Sequence, residues 1–392
     1  MRMLDLSNNI ITGHLPNCWE HLNSLEFLDL RNNKLSGKIP PSMGTLVNLQ
    51  ALVLRNNNII GEPPFSLKNC TSLTILDMSE NLLFGPIPSW IGENLQQLKI
   101  LSLRVNGFFG RVPSLLCHLS EIQVLDLSRN KLSGGIPTCL SNFTVMKQRR
   151  VITRQIKPVR KITTSGSYLD LYESNLLLMW KGQDHEFFNP ENLLTSIDIS
   201  SNHFTAEIPK VIGCLIGLVS LNLSGNNLNG KIPSEIGNLS SLEFLDLSRN
   251  LFNGKIPSTF YKIDRLGVLD LSNNELSGRI PFGRQLQTFD ASSFEGNANL
   301  CGQQINKSCP RDMKTENPQV PTIDADENSI FYGALYISLG LGFFTGFWTL
   351  SGSLLLWQPW RIAYLRFLNK VRDYIIVVVE VNITKWRMWL EG

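Results

Sequence analysis

The chain has 392 residues, of which 43% are apolar and 18% charged, and a formal net charge of +3. Such a composition excludes a wholly disordered chain, and a charge so near balance excludes a strongly basic nucleic-acid binder, so no nucleic-acid partner is expected. The order of the residues says more than their totals.

From the first residues onward the pattern Leu-x-Leu-x-x-Asn-x-apolar-x-Gly-x-apolar-Pro recurs, first over Leu4 to Pro16 and last over Leu269 to Pro281. Its asparagines are Asn9, Asn33, Asn57, Asn81, Asn106, Asn130, Asn202, Asn226, Asn250 and Asn274. They keep a near-constant spacing, broken by a single gap that is three repeats long. That period with that leucine pattern predicts a leucine-rich-repeat solenoid of α/β type, in which each coil contributes one short parallel strand. Leucines such as Leu28 and Leu30 are expected to point inward and the residues between them to the concave face. The repeat Asn falls where the chain leaves the strand, so its amide is expected to satisfy backbone groups of its own and the neighbouring coil. Gly37, Ile39 and Pro40 are read as the completion of the turn on the far side. Six repeats occupy residues 1–137 and four occupy 193–283.

Met1 lies just ahead of Leu4, with no charged-then-apolar leader and no cysteine-bearing cap before it. The expectation is an N-terminally truncated sequence whose first coil exposes its leucine edge.

Between the repeat blocks, residues 138–192 form a non-repeat island. Lys147 to Lys161 holds seven Lys/Arg and no acid, and an apolar stretch with Leu176, Leu177, Leu178, Met179 and Trp180 follows. An insertion of this size in a solenoid is read as a functional loop. Beyond the repeats come residues 284–312, with Cys301 and Cys309, then an acidic stretch at 313–329 with Asp324, Asp326 and Glu327.

The run from Phe331 to Trp357 contains no charged residue. It exceeds the roughly 20 residues that cross a bilayer core. A membrane helix over 330–357 is therefore expected. Acidic residues precede it and Arg361, Arg366, Lys370 and Arg372 follow in the tail, 358–392, which places the repeats outside and the C-terminus in the cytosol. Ala334, Ser338, Gly342 and Gly346 recur every fourth residue and form one small-residue helix face suited to helix–helix contact. Asn-x-Ser/Thr acceptors at Asn69, Asn142, Asn222, Asn238 and Asn306 fall on the outer side, with Asn222 expected on the concave face. Cys117 and Cys139 lie in successive coils, where pairing and separate thiols are equally open, while Cys18, Cys70 and Cys214 read as small buried hydrophobes.

The Leu-x-Gly-x-Ile-Pro half of the repeat resembles the plant-specific class of leucine-rich repeats, with Ala206 for Gly and Pro63 for Ile as departures. Six repeats, an island, four repeats, a Cys-bearing segment, an acidic stretch, one membrane helix and a short basic tail together resemble the C-terminal portion of a plant receptor-like protein. Tyr172, Lys181 and Gly182 match a Tyr, eight residues, Lys-Gly spacing seen in islands of that family. The resemblance implies a plasma-membrane, single-pass type I protein that binds an extracellular peptide, protein or glycan, in defence or development. It implies signalling through partner receptor kinases, with the island and last repeats meeting a co-receptor kinase, and a Cys301–Cys309 bond in the cap. No kinase motif, metal constellation or catalytic triad is present, so no enzyme activity and no cofactor are expected.

After the island the strand-end column reads Ser200, Ser224, Ser248 and Ser272, a small uniform surface expected to suit a partner. Before the island it includes Arg31, Arg55 and Arg104. Arg31 and Arg55 are expected side by side, with Phe27 and Val53 beside them. This is read either as a basic ligand strip or as a solvated Arg face, the like charges needing an anion or Asp29 to compensate them. The rival functions are a cell-wall or enzyme-inhibiting binding module, like polygalacturonase inhibitors, and a truncated receptor fragment without function.

Overall fold

The computed structural model describes residues 1–148, 195–283 and 285–309, together with the backbone of the strands Leu176–Trp180 and Gln183–Phe187. Each Leu-x-Leu segment forms a three-residue strand, and ten of them stack in chain order into one parallel sheet, from Met3–Asp5 to Val268–Asp270. The register is constant, Phe27 facing Ala51 and Ala51 facing Ile75. The island does not interrupt it, because Val124–Asp126 pairs directly with Ser196–Asp198. Leu28, Leu52, Leu76 and Leu101 are fully buried beneath this sheet, in one core that runs the length of the solenoid. Each such side chain contributes roughly 2 kcal/mol of transfer free energy that a lone coil could not gain.

The asparagine ladder forms as expected. Asn57 Nδ2 donates to the carbonyls of Leu30 (2.9 Å), Leu54 (3.0 Å) and Arg55 (3.3 Å), while its Oδ1 accepts from the Leu35 N–H (3.0 Å). The residue before each ladder Asn turns the chain with a left-handed φ near +50°, from Asn8 through Val105 to Asn273. The ladder also has a member that the repeat pattern does not reveal. Asn297 donates to Leu271 O and Phe294 O and accepts from the Leu276 N–H. The segment after the tenth repeat is thus a further partial coil, closed by strand Asn299–Cys301 on Glu275–Arg279 and by the Cys301–Cys309 disulfide.

The structure corrects several expectations. The segment carrying Gly37, read as a turn, is itself a strand, Lys34–Gly37. Its equivalents build two lateral parallel sheets of seven and four strands. On the convex side the described elements are 3₁₀ turns such as Pro41–Thr45, apart from one α-helical turn, Trp90–Asn94. That turn lies in a coil longer than its neighbours by a single residue, which supplies the longer i→i+4 ring. Cys117 and Cys139 are bonded to each other. Cys70 is buried, but Cys18 and Cys214 are exposed rather than core. Cys214 ends its 3₁₀ turn at the outward position that Asn69 and Asn238 hold in theirs, whereas Cys70 directly follows its turn and points inward.

In the island the strands Leu176–Trp180 and Gln183–Phe187 pair antiparallel, with Trp180 opposite Gln183. Tyr172, Lys181 and Gly182 lie outside the described residues, as do the expected membrane helix, its face Ala334, Ser338, Gly342 and Gly346, and the tail. Among the described residues no helix is long and apolar enough to cross a membrane.

Candidate ligand face of the solenoid

The strand geometry sends three residues of every coil to the concave side, and each makes a column along the sheet. The first-position column begins Met3, Phe27, Ala51, Ile75, Ile100 and Val124. With Val53 these side chains form an apolar cluster separate from the main core. Phe27 and Val53, expected as an accessible fringe of an arginine strip, are each only 1% exposed. Apolar neighbours on strands about 4.8 Å apart pack against one another, which removes them as a free contact surface.

The third-position column carries Asp29, Asp77, Asp126, Asp198, Asp246 and Asp270, with Asn222 in the same place. These side chains close Asx turns: Asp77 Oδ1 accepts from the Ser79 N–H (3.0 Å), and Asp126 Oδ1 from the Ser128 N–H (3.0 Å) and hydroxyl (2.6 Å). Burial raises the pKa of Asp29 to about 6, against the opposing pull of the Arg31 N–H and charge. Burial likewise raises Asp77 and Asp246. Asp126 and Asp198 are neighbours in register, and both are raised by burial, with the Asp198 charge adding to the effect on Asp126 and Arg104 opposing it on both.

The strand-end arginines therefore sit beside acids. Arg31 Nε lies 3.3 Å from Asp29 Oδ2, and Arg55 Nη2 lies 2.8 Å from Glu80 Oε1. Arg104 is buried at 8% exposure. Asp29, one of the two compensations the sequence left open, stands against Arg31, and the strip is a band of alternating charge rather than a purely basic one. The serine column is also different from the smooth surface expected of it. Ser200, Ser248 and Ser272 are buried and Ser224 is half-buried, because their N–H groups donate to Asp198, Asp246, Asp270 and Asn222. Apart from Asp29, the aspartates that organise both columns were not singled out from the sequence. Their signal is the residue after the inward leucine in Leu-Asp-Leu-Ser.

Asn222 is half-buried and donates to Asp198 Oδ2 (3.1 Å), whereas Asn69, Asn142, Asn238 and Asn306 are exposed. Among the described residues no group of three His, Cys, Asp or Glu could hold a metal ion.

A parallel-sheet solenoid with an asparagine ladder, a lateral second sheet and a concave charged band defines a plant-type leucine-rich-repeat protein. Leucine rich repeat family models match residues 192–252 and, in separate repeats, 1–22, 24–46, 48–70, 72–94, 121–143 and 265–283. The tomato (Solanum lycopersicum) receptor-like proteins EIX2 and EIX1 are 52% and 53% identical over 305 and 312 residues, in each case 76% of this chain. The chain belongs to the plant leucine-rich-repeat receptor-like proteins, and it spans about 29% of the length of these two curated relatives. Among solved structures, a plant ice-binding protein aligns with TM-score 0.58 and 26% identity, over 78% of this chain and 83% of that one. The ectodomain of the Arabidopsis receptor kinase HAESA with the peptide hormone IDA aligns with TM-score 0.53 and 28% identity, over 79% and 51%. HAESA with IDA and the co-receptor SERK1 aligns with TM-score 0.50 and 29% identity, over the same shares of the two chains.

Proposed function

We propose that the chain is part of a cell-surface receptor that binds an extracellular peptide, protein or glycan and signals by recruiting partner receptor kinases. The observation that carries this reading is the 52% identity to a receptor-like protein across 305 residues. The fold shared with HAESA, a receptor kinase solved with a peptide hormone and a co-receptor, supports it. In this proposal the ligand lies along the concave band of Arg31, Arg55 and Arg104, where a ligand carboxylate exchanges for Asp29 or Glu80 in their ion pairs. The island, with Tyr172, Lys181 and Gly182, and the repeats over 193–283 face a co-receptor. A single membrane helix over 330–357 anchors the protein in the plasma membrane with its repeats outside. Glycans on Asn69, Asn142, Asn238 and Asn306 coat the outer surface, and Asn222, whose amide is engaged with Asp198, stays bare. The face Ala334, Ser338, Gly342 and Gly346 packs on a partner helix.

The test is co-immunoprecipitation of the tagged full chain from plant membranes with leucine-rich-repeat receptor kinases, beside a Gly342→Leu, Gly346→Leu double variant. Recovery of a kinase with the unaltered chain and its loss with the variant is the expected result. A chain that reaches the plasma membrane and recovers no kinase sinks the reading and favours a binding module without signalling.

A further inference from the structure

The outer face of the lateral sheet changes character over three consecutive coils. Its two outward positions per coil are mostly polar among the described residues, as Lys34 and Ser36, Lys131 and Ser133, Asn229, Asn253, Glu275 and Ser277 show, with Ile10 of the first coil and Leu251 of the ninth as isolated exceptions. In the third to fifth coils four of the six are apolar, Ile60 (43% exposed), Leu82 (60%), Phe84 (51%) and Phe109 (50%), and the other two are Asn58 and Gly107. Strand register makes these one patch: Ile60 lies opposite Leu82, Phe84 opposite Gly107, and Pro86 opposite Phe109. A Cβ at Gly107 would meet the Leu83 carbonyl oxygen at 3.0 Å and Phe84 Cβ at 3.4 Å, so the lateral strands pack closely between Phe84 and Phe109. The patch exposes roughly 300–400 Å² of apolar surface, at the scale where such patches on soluble surfaces tend to be functional.

Two further observations say what covers it. Beside it stand exposed Lys38, Arg111 and Lys131 with the acid Glu62, so the rim is net basic and a second copy of the same face would meet it with like charge. Among the described residues none of the Asn-x-Ser/Thr acceptors lies in a strand of this sheet. Asn69, Asn142 and Asn238 end 3₁₀ turns, and Asn222 lies in a strand of the concave sheet. Glycans there leave the lateral face open.

We propose that the lateral face of the third to fifth coils is a docking surface for another protein, one that presents an apolar centre inside an acidic rim. The patch is the centre of such an interface rather than the whole of it, because a stable contact buries about 800 Å² per partner. The site lies on a different sheet from the concave band. The glycan argument alone rests on the secretory reading above.

A photo-crosslinking phenylalanine analogue is placed at Phe84 in the full chain, in plant membranes, with the same analogue at Asn253 as the matched position of a later coil. The expected result is a crosslinked product with a different protein from position 84, reduced at least tenfold by Phe109→Ser and by the paired Arg111→Glu, Lys131→Glu reversal. Serine is what the second, sixth and tenth coils already carry at that place, as Ser36, Ser133 and Ser277, so Phe109→Ser keeps the fold, and an unchanged melting temperature verifies this. Equal products from both positions, a product indifferent to the charge reversal, a product containing only this chain, or none at all overturns the proposal. Glycosidase treatment of the same samples tests the secretory reading separately, since a chain that never entered that route shows no mobility shift.

Discussion

Asn130 shows what the ladder is worth. Its Nδ2 donates to the carbonyls of Leu103 (3.0 Å), Leu127 (3.1 Å) and Ser128 (3.1 Å), its Oδ1 accepts from the Phe108 N–H (3.0 Å), and the side chain is 8% exposed. Asn130→Ala leaves one buried donor and up to three buried acceptors without partners. Each orphaned group costs about 1–3 kcal/mol, but carbonyls retain other bonds, so the expected loss is about 3–6 kcal/mol. Asn9 is the internal control. It is exposed, its Nδ2 reaches only Leu6 O and Ser7 O of its own coil, and Asn9→Ala should cost at most about 1 kcal/mol. Urea unfolding of the purified chain, followed by fluorescence of the buried Trp19 and Trp90, measures both. Equal losses for the two variants would show that the amides are not the clasp between coils, and the reasoning would fail.

Three other outcomes are expected. At Gly217 a Cβ would crowd the carbonyl oxygens of Gln148 and Met146, where the chain leaves for the island. Gly217→Ala should therefore cost about 1–3 kcal/mol and speed proteolysis within the island, and wild-type behaviour would place that exit elsewhere. Val105 and Ala206 hold φ of +50° and +69°, so Val105→Asn and Ala206→Gly should each raise the unfolding midpoint by the equivalent of about 1 kcal/mol; a lower midpoint would argue against those turns. Asp29 has a folded pKa of about 6 against an ordinary 3.8, so its contribution is full below pH 3.8 and is lost as pH rises through about 6. That amounts to about 3 kcal/mol of stability. Asp29→Asn should flatten the pH dependence of the midpoint between pH 4 and 7, and an unchanged slope would contradict the burial of that carboxyl.

The repeat period, the inward leucines and the asparagine ladder were legible in the order of residues, because each depends on positions within one coil and on the identical coil beside it. Even Asn297 carries a local mark, since Gly296-Asn297 follows Asn274 at close to the repeat spacing, although no Leu-x-Leu precedes it. The helical turn Trp90–Asn94 could be traced to a single added residue only once the convex side was seen. Other features depended on contacts between side chains in different coils. Cys117 reaches Cys139 in the next coil, Arg55 finds Glu80 in the next coil, and Phe27 and Val53 are buried by packing along the sheet. Likewise Ile60, Leu82, Phe84 and Phe109 look like ordinary repeat positions in sequence. Only the stagger of the lateral strands gathers them onto one exposed face. A repeat specifies where each side chain points, and the tertiary stack decides what it meets there: pairing, charge compensation and solvent exposure are properties of neighbours that lie a full coil away in the chain.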